Sequence, residues 1–155
     1  MLIHFLRHAE AEDEVDSDFN RRLTTKGVEQ AEKVGKFCVR SGLIPDVILS
    51  SPVVRARQTA EIVGQATGST PVIEDWLACG MEPEMLYKKL AAHSEHETVF
   101  LVGHEPDFSC AISSLLGVSD PSAILIRKAS VTAVDAPWLE AGAGRLQFSI
   151  PARLM

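Results

Sequence analysis

Apolar positions along the chain fall in short blocks separated by polar stretches of helical period. The opening run Leu2-Ile3-His4-Phe5-Leu6 stops abruptly at Arg7-His8, the pattern of a buried strand that delivers polar residues to a sheet edge. A polar loop, Glu10 to Arg22, follows. From Val28 the positions Ala31, Gly35 and Cys38 recur at helical spacing, Val34 and Phe37 widen the stripe, and Gly42 then Pro45 supply the stop. Val47-Ile48-Leu49 predicts a second buried strand. Ser51-Pro52 predicts a helix start, with a hydroxyl for the cap and proline in the first turn, which puts Arg55 in the opening turn of a helix ended by Gly68.

A short strand over Pro71 to Ile73 and a helix over Pro83 to Ala92, with Leu86 and Leu90 on one face, come next. Thr98 to Val102 predicts a third strong strand, ending in Gly103-His104-Glu105 before Pro106 opens a further helix buried through Phe108, Ile112, Leu115 and Leu116. Ser130 to Ala136 and Arg145 to Ile150 read as two more strands, flanking the loop Gly142-Ala143-Gly144. Strands alternating with helices predict a mostly parallel sheet covered on both faces. In such folds ligands bind beyond the carboxyl ends of the strands. Arg7-His8, the turn from Ser51 to Arg55, and Gly103-His104 all fall at such ends, so polar groups far apart in sequence are expected to converge.

At 155 residues and 46% apolar content, one well-buried core is expected, in a single domain over residues 1–155. No run approaches the roughly 18 apolar residues of a membrane span, and the start shows neither a basic leader nor a small-residue cleavage site, so the expected address is the cytoplasm. Cys38, Cys79 and Cys110 are odd in number and widely spaced, which favours reduced thiols over a disulfide framework or a zinc site. Net charge is −6 and the basic residues form no runs, which argues against nucleic acid or an anionic membrane as partner. Arginines gathered at one pocket are the more informative in so acidic a chain.

The convergent set offers two arginines, two histidines, the hydroxyls of Ser50 and Ser51, and a helix start near Arg55. Arginine forks and helix amino termini both favour phosphate-like oxyanions. One imidazole with an unprotonated nitrogen can attack phosphorus, while the other, if protonated, can donate to an equatorial oxygen. A lone histidine after a strand is ordinarily structural. The combination is what points to chemistry.

Leu6-Arg7-His8-Ala9-Glu10 resembles the L-R-H-[AG]-[ED] signature of the histidine phosphatase superfamily, the phosphoglycerate-mutase-like proteins. Arg21 to Gly27 is similar to its R-x-L-T-x-x-G segment, Ser50 to Ala60 to its S-S-P-x-x-R-A-x-Q-T-A segment, and Val102-Gly103-His104-Glu105-Pro106 to its V-G-H-x-P element. The four matches run in family order and reach to about Gly117. The resemblance implies a phosphoglycerate-mutase-like three-layer α/β/α sandwich with no large cap domain. It implies that His8 is the nucleophile and forms a phosphohistidine, and that Arg7, Arg55 and His104 hold the phosphoryl oxygens. Arg21 matches a pocket-lining arginine, with Arg22 offering a competing register. Arg57, two residues past Arg55 on a helix, is expected to point elsewhere.

Within the superfamily the compact length and Leu77-Ala78-Cys79-Gly80 most resemble the SixA-type phosphohistidine phosphatases. The stretch Asp75 to Glu82 lacks the Glu that ester-cleaving members place a few residues before glycine. Glu82 and Glu84 are expected at a helix start, where the dipole favours carboxylates in any case, and Asp18 stays open as a proton donor. An alkoxide leaving group gains roughly 10²- to 10⁴-fold from a general acid, whereas a phosphohistidine ring can be protonated from solvent and leave as neutral imidazole. The expected function is therefore a metal-independent, cofactor-free phosphatase acting on phosphohistidine of a phosphorylated protein such as a phosphotransfer domain. Two alternatives are a phosphomonoesterase for a small phosphorylated metabolite and a phosphate-binding module without turnover. No carboxylate cluster suited to magnesium accompanies the motifs, and the oligomeric state is open.

Overall fold

Side-chain alternation along the first strand builds both faces of the core. In β1 (Leu2–Arg7), Ile3 and Phe5 are buried on one side and Leu6 on the other. In this computed structural model, which describes residues 1–13 and 17–155, the chain continues through α1 (Thr25–Arg40), β2 (Val47–Ser50), α2 (Val54–Thr67), β3 (Val72–Ile73) and α3 (Pro83–Leu90). It ends with β4 (Thr98–Gly103), α4 (Asp107–Leu116), β5 (Val131–Asp135) and β6 (Arg145–Ile150). Residues 14–16 of the expected polar loop lie outside the described residues.

The strands form one sheet in the order β3-β2-β4-β1-β5-β6. β1, β2, β3 and β4 run parallel, while β5 joins antiparallel beside β1 and β6 antiparallel beside β5. Helices α1 and α2 cover one face through Ala31, Val34, Ala60 and Val63 against Ile48, Phe100 and Val102. On the other face α3 and α4 contribute Leu86, Leu90, Phe108 and Ile112 against Phe5, Leu49, Val99 and Leu101. This is the expected three-layer α/β/α sandwich, and among the described residues no large cap domain is added. Among the described residues no helix is long and apolar enough to cross a membrane.

Three boundaries differ from the sequence pattern, each for a local reason. Helix α1 begins at Thr25 rather than Val28, because the Thr24 hydroxyl accepts the Gly27 N–H at 3.0 Å and caps an earlier turn. Helix α2 begins at Val54, and Val53, not Ser51, is its capping position. The Ser51 hydroxyl, two residues upstream, instead accepts the Val53 N–H at 3.2 Å. Helix α3 stops at Leu90, where a tighter 3₁₀ turn over Ala91–His93 takes up the remainder.

Insertion of β4 between β1 and β2 decides where the site lies. Arg7 pairs in register with Gly103, and Ser50 with Val102, so three carboxyl ends stop at one level. Backbone bonds continue past the strands: His8 N–H donates to Gly103 O at 3.0 Å and Ser51 N–H to Val102 O at 2.9 Å.

Candidate active site

Side chains from those three ends meet in one buried cluster. The His8 and His104 rings lie with centroids 5.3 Å apart, and Arg55 Nε donates to His8 Nε2 at 3.2 Å. Arg55 reaches them because it stands in the first turn of α2, with its buried base against the sheet. His104 Nε2 contacts the Ser51 hydroxyl at 2.8 Å. Arg7, beside His8, donates from Nη1 to Ile126 O at 2.8 Å, leaving its buried Nε without a partner among the described residues.

The tautomer of His8 follows from its surroundings. Its Nδ1 lies 2.8 Å from Ala9 O, and a carbonyl can only accept, so Nδ1 carries the hydrogen and Nε2 keeps a lone pair. Burial pushes the His8 pKa down to about 3, with further lowering from the His104, Arg55 and Arg7 charges against the Ala9 bond. His104 falls to about 4, again chiefly through burial and then Arg55. Both rings are neutral near pH 7 in this pocket. Two nearby guanidiniums already supply positive charge, so protonation of His104, a third cation among them, needs an incoming anion.

What this arrangement does best is receive a tetrahedral oxyanion beside an unprotonated imidazole nitrogen. The family model for the histidine phosphatase superfamily, branch 1, matches residues 3–78. An uncharacterized protein of Picosynechococcus sp. is 31% identical over 152 residues, covering 95% of this chain and 89% of its own. The chain belongs to the histidine phosphatase superfamily. Its fold matches that of the protein histidine phosphatase SixA in complex with tungstate, at a TM-score of 0.88 and 22% identity over 99% of each chain. It also matches the alpha-ribazole phosphatase of Shigella flexneri, at 0.80 and 17% identity over 95% of each.

The superfamily motifs account for His8, Arg7, Arg55 and His104, but their supporting contacts were not legible in sequence. Thr59, one turn after Arg55, accepts the Ala9 N–H at 3.1 Å and donates to Arg55 O at 2.7 Å, tying α2 to the loop behind His8. Asp107 accepts the Gly80 and Met81 N–H groups at 2.8 and 3.0 Å and so fixes the loop after β3. The helical spacing of Thr59 from Arg55 was the one available signal. Glu105 lies close enough to Arg7 to act on its charge; burial raises the Glu105 pKa, while Ser109 and Arg7 lower it.

The carboxylate that does reach the arginines is Asp18. Its Oδ2 lies 3.0 Å from Arg55 Nη2, its carbonyl accepts from Arg55 Nη1 at 2.7 Å, and its Oδ1 pairs with Arg21 at 2.9 Å. Those arginine bonds hold the Asp18 pKa below the ordinary carboxylate range. Arg21 therefore meets the pocket through Asp18, and also donates to Glu12 O. Arg57 pairs with Glu61 at 3.5 Å on the exposed face of α2, away from the site as its spacing predicts. Glu84 stands in the first turn of α3 and Glu82 at its capping position without a side-chain bond.

Proposed function

We propose that this chain is a phosphatase that transfers a phosphoryl group to His8 Nε2 and releases it to water, with phosphohistidine on a protein as its substrate. The observation that carries the reading is the locked His8 tautomer, with its lone-pair nitrogen held against Arg55 Nε in a pocket too buried to protonate it. In-line attack needs an unprotonated nucleophile and positive charge on the equatorial oxygens. Arg7 and Arg55 supply that charge, and His104, held by Ser51, takes a proton once the dianion enters. Loss of the phosphorus–nitrogen bond passes the electron pair to the leaving imidazole, which takes its proton from water, and a second attack by water regenerates His8.

The leaving group is the finer part of the proposal. Asp18 is held ionised by two arginines, so it is a poor donor to an alkoxide. A protonated phosphohistidine ring has no need of such a donor. A small-molecule phosphomonoesterase is the competing reading, favoured by the likeness to a fold neighbour named alpha-ribazole phosphatase.

Turnover of a histidine-phosphorylated protein, compared with a panel of phosphomonoesters, separates the two. Preference for the phosphoprotein, with acid-labile phosphate on the wild type and none on His8→Ala, is the expected result. Full activity in His8→Ala sinks the assignment, and a preference for esters sinks the substrate.

A further inference from the structure

Next to the pocket, on the β5 side, a cavity of about 370 Å³ opens to solvent. Arg7 forms part of its wall, so the cavity shares a guanidinium with the phosphoryl site. Arg127, Lys128 and Arg153 line it as well, together with Leu125 and Ile126, and no acidic side chain does so among the described residues. Four cations around one cavity stand out in a chain of net charge −6. Arg127, Lys128 and Arg153 make no ion pair among the described residues, and Glu10, whose carboxylate feels the Lys128 charge, is held by Lys26 at 2.8 Å.

The turn that carries two of these cations is stapled to the catalytic strand. Ser130 donates from both its N–H and its hydroxyl to Arg127 O, at 3.0 and 2.7 Å. Ala129 N–H donates to Arg7 O at 3.0 Å, and Ala129 adopts φ 54, a left-handed backbone unusual for a residue with a side chain. Such strain persists where surroundings fix it, so Arg127 and Lys128 stand at a set distance from His8. Leu125, 67% exposed, lies at the rim and offers an apolar contact beside the charges.

Resting on the phosphoprotein reading above, we infer that this cavity docks an acidic, partly apolar peptide segment flanking the phosphohistidine of the substrate protein. Cations in an open cleft steer an anionic partner and fix its register on the enzyme. An exposed leucine lining the same cavity suits a peptide side chain better than a free anion. The same guanidinium that holds the phosphoryl group borders the cleft, so a segment seated there lies one arginine away from the reacting phosphorus.

The test compares wild type with the triple variant Arg127→Gln, Lys128→Gln, Arg153→Gln, none of which holds the phosphoryl group. Three probes are used: phosphoramidate, a phosphohistidine peptide with Asp and Glu flanks, and the same peptide with Asn and Gln flanks. Wild type is expected to favour the acidic peptide by roughly tenfold in kcat/KM, as three modest charge contacts add up to, with the ratio shrinking as salt rises. In the triple variant the ratio falls to about one while phosphoramidate turnover is kept, which also reports that the variant is folded. Equal ratios in the two proteins overturn the inference. So does inhibition by inorganic pyrophosphate that depends on the three cations without any flank preference, since the cavity then holds a small anion. Fluorescence anisotropy with the unphosphorylated acidic peptide reads docking without turnover: binding lost in the triple variant supports it even if phosphoramidate is not hydrolysed, a result that would count against the phosphatase reading alone.

Discussion

The carboxylate of Asp18 lies on the fork of Arg55, Oδ2 to Nη2 at 3.0 Å, the position that the proposed function assigns to a phosphoryl oxygen. Under that proposal a substrate displaces this contact. Asp18→Asn is therefore expected to bind inorganic phosphate or tungstate roughly threefold more tightly, a modest gain because the carboxylate is half exposed. Competition of these oxyanions against turnover measures it. A drop of a hundredfold or more in ester turnover by the same variant would instead identify Asp18 as a general acid.

Thr59 couples the two arginine-bearing and histidine-bearing segments through a single hydroxyl. Thr59→Val keeps its shape but leaves the buried Ala9 N–H without an acceptor, which costs about 1–3 kcal/mol. Thr59→Ser is expected to restore both stability and turnover. Urea unfolding of the pair, read beside kcat, checks this.

Gly27 lies inside α1, where alanine would ordinarily favour the helix by about 1 kcal/mol. A Cβ there would overlap Glu10 O, on the backbone just past His8. Gly27→Ala is thus expected to lower the melting temperature and to reduce turnover together, because the clash falls on backbone rather than on a flexible side chain. An unchanged melting temperature contradicts the packing.

Acid sensitivity is predicted to come from buried neutral histidines. His4 sits at 0% exposure, its ring 4.4 Å from that of Phe100, and neither nitrogen has a hydrogen-bond partner among the described residues. Burial brings its pKa from 6.5 to about 4, so the unfolded chain takes up this proton first as pH falls. The stability tied to its neutrality is complete above pH 6.5 and is lost toward pH 4 at about 1.4 kcal/mol per unit. His8 and His104 act with the same sign. His4→Leu is expected to lose less unfolding free energy than wild type between pH 7 and 4.5, measured in urea; parallel curves would refute it.

Element types were legible wherever a run was long or its end sharply polar, as in Leu2 to Leu6 and Thr98 to Val102. Boundaries went astray where one hydroxyl decided them. Ser51 read as a helix cap because Ser-Pro commonly starts helices, yet its oxygen lies between the Val53 N–H and His104 Nε2. The protonation of His104 was equally out of reach, since it depends on burial and on Arg55, 49 residues away in sequence.

The sequence by itself determined which segments are strands and which are helices, though not every boundary, because periodicity and turn chemistry act over a few neighbours. It also determined the family, through four short motifs in order. Tertiary structure alone decided that β4 enters between β1 and β2, which brings His8, Arg55 and His104 within contact of one another. It decided the lone pair on His8 Nε2, the neutrality of both rings, the Asp18 contact on Arg55, and the cationic cavity beside Arg7. Each of these depends on desolvation and on charges brought close by folding, and such terms exist only once distant segments share a low-dielectric space.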